Sequence, residues 1–239
     1  MTTPIPPTQG LGPGRHRFHG FIAGVGTQEG TRLVVGHWPS SPLGVFTDVM
    51  VERANGHRML LAPNSAVAQF VTDTYHFDET VICPVDCQVS PDSAAPHSGE
   101  QSGPLTLPFL PGAQWQVAAG PLELTLRVGT PTPLGRLLAA TPNRICTSPL
   151  FSRMADPIAR SFLRGVRTAG TAGNGRAEYY GATGLRTVTS LRAAWDGVDL
   201  GSLRPVEPPV RFGFSSTPRR PSLTRVVTTV DVPEGAQHT

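Results

Sequence analysis

Residues 46–62 read FTDVMVERANGHRMLLA. Apolar and polar side chains alternate on either side of Ala54-Asn55-Gly56. Asn-Gly between two such runs is a strong hairpin signal, because a type I′ turn needs φ > 0 at both central positions. The stretch therefore predicts two antiparallel strands. Upstream, RHRFHGFIAGVG and TRLVVGHW form a second such pair around the turn QEG. Downstream, Asn64 can cap a short helix with Val67, Phe70 and Val71 on one face. HFDETVICPV, QWQVAAG and PLELTLRVG return to strand. In the last, Leu122, Leu124, Leu126 and Val128 share one face, with Glu123, Thr125 and Arg127 on the other.

A helical block follows. Thr132-Pro133 starts one helix over Leu134, Leu137 and Leu138, and Asp156-Pro157 starts another that Gly165 can end. After the glycine-rich loop GVRTAGTAGNG come four strands: RAEYYG, LRTVTSLRAAWDG, VRFGFS and SLTRVVTTVDV. Residues 88–104 read as a polar insertion. The domain expectation is a tail over 1–14, one domain over 15–232 and a second tail over 233–239. Its fold class is α+β: mainly antiparallel β, closed and barrel-like, with a central cavity and a few helices.

The chain has 239 residues, with 26 Gly and 25 Pro but only 15% charged residues. So little charge excludes whole-chain disorder, and so much Gly and Pro fits many turns. The net charge of +3 gives no nucleic-acid signature, so no nucleic-acid partner is expected. No apolar run nears the ~20 residues that span a bilayer, and the N-terminus lacks a basic start and apolar core. No membrane association and a cytoplasmic location are expected. Cys83, Cys87 and Cys146 read as free thiols. The seven histidines show no ligand spacing, so neither metal nor cofactor is expected. All 20 basic residues of the Lys+Arg total are Arg. Arg remains protonated and cannot serve as an amine nucleophile.

Two stretches carry candidate site residues. On FTDVMVE, strand periodicity puts Phe46, Asp48, Met50 and Glu52 on one face. The two acids either line a lumen, where burial suits them to acid–base work, or face water. On RAEYYG, Arg176, Glu178 and Tyr180 share a face. They form either an anion-binding group or an exposed ion pair beside a packed tyrosine.

The succession GHWPSSPLGVFTDVMVERANGHRMLLAP, HFDETVICPV, PLELTLRVG and GRAEYYGATGLRTVTSLRAAWDG resembles the acetoacetate decarboxylase-like superfamily, and within it an actinobacterial branch. The resemblance implies a large closed antiparallel β-structure around a central cavity. It also implies an acid near Asp48, after Pro42-Leu43-Gly44-Val45-Phe46, where the family usually has Glu. The family's decarboxylases form a Schiff base on a lysine activated by a second lysine. Here Gly175-Arg176-Ala177-Glu178 carries an additional Ala, and Ala182-Thr183 stand near where the family has Pro-Lys. The likeness thus implies the fold and cavity without the reaction. Two functions remain open. One is a barrel that binds a small organic acid or related metabolite, lined by Asp48, Glu52, Arg127, Arg176, Glu178 and Tyr180. The other is an interaction or structural domain without a small-molecule site. The first needs a cavity of ~300 Å³ or more with convergent polar groups, and loses to the second if those side chains point to water on separate faces.

Overall fold

The computed structural model describes residues 11–91, 105–142, 146, 167–171, 175–213 and 215–234. Strands dominate. The first hairpins are β1 (Gly14–Thr27) with β2 (Arg32–Ser40), and β3 (Phe46–Glu52) with β4 (Arg58–Ala62). The second hairpin forms, but not through the type I′ turn expected: in its turn Gly56 alone has φ > 0 (+88°), and its N–H donates to the Arg53 carbonyl at 2.9 Å. Ala54 and Asn55 are therefore the central residues, and Gly56 takes the left-handed position after them. Helix α1 (Ser65–Thr72) is capped by Asn64, whose side chain accepts from the Val67 N–H at 3.0 Å. Next come β5 (Glu79–Ile82), β6 (Val85–Ser90), β7 (Gln114–Ala119) and β8 (Leu122–Pro131). Helix α2 (Pro133–Ala140) starts at its Thr132 cap, as expected. The helix expected after Asp156 lies outside the described residues. The remaining strands are β9 (Ala169–Thr171), β10 (Ala177–Trp195), β11 (Val198–Asp199), β12 (Leu203–Arg204) and β13 (Ser222–Val232). No described helix is long and apolar enough to cross a membrane.

One sheet runs β5-β4-β3-β2-β1-β13-β10-β8-β7-β6. It is mixed, because β4 and β5 pair in parallel. A parallel pair needs a crossover, and the crossover here carries α1 over one face. On the other face Phe21, Val25, Leu33, Val35, Val49 and Val51 share one core cluster with Trp115, Val117, Leu122, Leu124, Leu126 and Val128. These come from opposite halves of the strand order, so the sheet curls over and encloses this cluster.

The curl does not close. No ladder joins the outermost strands β5 and β6. Their link is covalent: only Cys83 and Pro84 separate them, and three Cα steps reach at most about 11 Å. The two edges are therefore joined end to end by the chain, without a ladder between them. The closed barrel expected from the sequence is corrected to an open, strongly curled sheet. Its enclosed face is filled by side chains.

Two local expectations also change. RAEYYG and LRTVTSLRAAWDG form the single 19-residue strand β10. Register shifts between Ala182 and Gly184 and around Val188 let it bend instead of ending. VRFGFS is not a strand over its described residues. The Arg211 N–H that a ladder would use donates to the buried Glu52 carboxylate at 2.8 Å. Pro208 and Pro209 just before it have no N–H at all.

Candidate functional site

The outer face of β1, β2, β3, β10 and β13 carries the residues that alternate with the enclosed core. β2 presents Val34, Gly36 and Trp38, β3 presents Phe46, Asp48 and Met50, and β10 presents Glu178, Tyr180 and Ala182. Phe70 and Val71 of α1, Tyr75 beyond it, and Val210, Phe212 and Ser215–Pro218 cover this face. Between sheet and cover lies a cavity of about 200 Å³. It lies on the face opposite the one the curl encloses, so the expected central position is corrected. Its volume falls short of the ~300 Å³ expected above for a binding site, a size typical of pockets for drug-sized ligands. It exceeds the ~150 Å³ of an apolar cavity that takes benzene.

Three of the six sequence candidates meet there: Asp48, Glu178 and Tyr180. Asp48 and Glu178 are 2% and 1% exposed. Asp48 pairs across the ladder with Gly36. The glycine is required, since a Cβ there would fall 2.6 Å from Asp48 Oδ1 and 2.7 Å from Trp38 Nε1. Through that gap the Trp38 indole N–H donates to Asp48 Oδ1 at 3.0 Å. Burial pushes the Asp48 carboxyl up to about 7, partly offset by the Trp38 hydrogen bond.

Glu178 meets two phenols. Tyr75 Oη and Tyr180 Oη each lie 3.1 Å from Glu178 Oε2 and 2.5 Å from each other. Burial also pushes Glu178 up to about 7, against donation from Tyr75 and Tyr180 and the nearby Arg176 charge. Burial pushes both tyrosines well above their usual value, so they stay neutral donors. Three mutual contacts share two phenolic protons, so protonation of Glu178 would supply a third.

The other three candidates lie elsewhere. Glu52 is fully buried but faces Arg32, whose guanidinium lies 3.0 Å away, and Arg211 at 3.1 Å. It holds the cover segment to β3. Arg176 donates to Asp73 at 2.8 Å, to the Phe70 carbonyl at 3.1 Å and to Thr74 Oγ1 at 3.2 Å. It fastens the end of α1 to the start of β10, where a cation also suits the helix dipole. Arg127 is half-buried on β8, on the side away from Leu126 and Val128, and does not border the cavity.

Sequence reasoning missed Trp38 and Tyr75. Trp38 was accessible by the same alternation that placed Asp48, since it follows Val34 and Gly36 on β2. Tyr75 carried no local signal, because its place depends on where α1 ends. Among the described residues no group of three His, Cys, Asp or Glu side chains could hold a metal ion. The three cysteines are free thiols.

No family model matches the chain, and no curated protein matches it. A solved structure from Nitrosomonas europaea, described as a candidate AttH, is 12% identical with a TM-score of 0.27. The match covers 93% of this chain and 40% of that one, so the chain spans about two fifths of its length.

Proposed function

We propose that this protein binds a small, largely apolar molecule in the outer-face cavity and has no Schiff-base decarboxylase activity. The observation that carries the reading is the convergence of Asp48 and Glu178, both buried, on one cavity lined otherwise mainly by apolar and aromatic side chains. Buried carboxyls that form no ion pair among the described residues are unfavourable for folding alone. An interaction or structural domain has no need of two of them facing one void.

The lining also narrows the ligand. At about 200 Å³ the cavity suits a single substituted ring or a short branched chain. An organic acid would enter in neutral form, because its carboxylate would face Asp48 and Glu178. Both carboxyls sit near neutrality, so either can give or take a proton at physiological pH.

A thermal-shift panel of single-ring alcohols, phenols, amines and acids tests this. A ligand present at 100 times its Kd stabilises the fold by about 2.7 kcal/mol. Ala182→Leu places a larger side chain in the cavity and should abolish the shift while leaving the protein folded. Equal shifts in wild type and Ala182→Leu, or none in either, would reject the cavity as the site.

A further inference from the structure

The cavity is a box of aromatic rings with two carboxyls set into its wall. Phe18, Trp38, Phe46, Phe70, Tyr75 and Phe212 all border it. Phe18 anchors much of that box. It stacks on Phe70 with ring centroids 4.8 Å apart and meets Trp38 and Phe46 edge-on at 5.9 and 6.4 Å. Aromatic faces attract a cation, most strongly where water is excluded. Resting on the binding reading above, we propose that the occupant is a small lipophilic amine, bound as its ammonium ion between this aromatic wall and the carboxyls of Asp48 and Glu178.

The partners of the two carboxyls support a cationic occupant. Asp48 accepts from an indole, and Glu178 from two phenols. All of these donors are neutral. Arg176, whose charge acts on Glu178, is engaged with Asp73. Arg167 also borders the cavity, and no ion pair joins it to either carboxyl. An ammonium would supply the positive charge that neither acid finds in an ion pair among the described residues. It would also offer N–H donors in place of the proton that Glu178 shares with Tyr75 and Tyr180.

An ammonium ligand must therefore displace protons. The groups facing the bound nitrogen are Asp48 on β3, Glu178 and Tyr180 on β10, Tyr75 after α1, and Arg167. Of these, only Asp48 and Glu178 titrate near neutrality. Ammonium affinity rises with pH through about 7, because one of the two carboxyls must ionise to receive it.

Benzylamine, benzyl alcohol and benzoate are the probes, compared by titration calorimetry on the wild-type chain at pH 6 and pH 8. At pH 8 benzylamine should bind at least about tenfold more tightly than benzyl alcohol, with benzoate weakest. Its affinity should fall about tenfold at pH 6, as expected for one carboxyl titrating near 7. Calorimetry in buffers of differing ionisation enthalpy should show proton release at pH 6. Glu178→Gln and Asp48→Asn should each reduce the preference for amine over alcohol. Equal binding of amine and alcohol would overturn the ammonium inference and leave the cavity reading intact. Binding of none of the three would overturn both. The wild-type comparison decides the matter even if neither variant folds.

Discussion

Asp48 shows what a single buried side chain does to the energetics of the chain. Its carboxyl and that of Glu178 have folded-state pKa values of about 7, against roughly 4 in an unfolded chain. Between those values the folded state holds more protons than the unfolded state. Stability is thus fully present below about pH 4, falls as pH rises towards 7, and levels off above it. Asp48→Asn removes one of the two contributions. Urea unfolding at pH 5 and pH 8 should show a smaller difference in the variant than in wild type, by on the order of 2 kcal/mol. An unchanged difference would mean that Asp48 is ionised throughout and that burial does not dominate its titration. The alternation in FTDVMVE and RAEYYG put these acids on the right faces, because strand parity is a local property. Whether those faces met water or a cover was not legible, since α1 and the segment after Pro205 supply the cover from distant parts of the chain.

At the scale of elements, the cover owes its position to Glu52. Its carboxylate takes the Arg211 backbone N–H at 2.8 Å and the Arg211 Nε at 3.1 Å, and it faces the buried Arg32 at 3.0 Å. Neutralising it leaves Arg32, which is 4% exposed, without that partner. Breaking a buried pair from one side typically destabilises by about 3–5 kcal/mol. Glu52→Gln should therefore unfold at lower urea, and the segment from Val206 to Pro218 should loosen first. Trypsin reads this directly, because a chain without lysine is cut only after arginine. Cleavage after Arg211 should accelerate more than cleavage after Arg192 within β10. Equal acceleration at both sites would show that Glu52 supports the fold as a whole and not the cover in particular. The sequence left Glu52 either lining a lumen or facing water, because it shares a face with Asp48. It did not signal the loop that occupies that end of the face. VRFGFS alternates like a strand, but its Arg211 N–H is already committed to Glu52. The hairpins and the cap of α1 were legible for the opposite reason, since Asn55-Gly56 and Asn64 act through neighbours one to three residues away.

For the whole molecule, the decisive features are topology and composition. The curl of the sheet depends on Trp115 of β7 meeting Phe21 of β1 across the core, with ring centroids 6.0 Å apart. No local pattern encodes a contact of that range, so the sequence supported a barrel but could not tell a closed ladder from edges joined at Cys83-Pro84. Composition, by contrast, constrains the chemistry anywhere in the fold. Covalent decarboxylation of a β-keto acid needs an unprotonated amine in the cavity to attack the ketone. Lysine can supply it, because burial and a neighbouring cation can lower its pKa by up to ~3–5 units. Arginine, with a reference pKa of roughly 12.5–13.8, cannot. All 20 basic residues of the Lys+Arg total are arginine, and the cavity wall offers carboxyls, phenols, an indole, hydroxyls and the Arg167 guanidinium instead. Incubation with acetoacetate and borohydride should therefore leave every side chain unmodified by intact-mass and peptide mapping, with no release of CO₂ above the uncatalysed rate. A substrate-dependent adduct within residues 11–234, accompanied by CO₂ release at enzymatic rates, would show that a group other than a lysine amine can serve as the electron sink in this cavity.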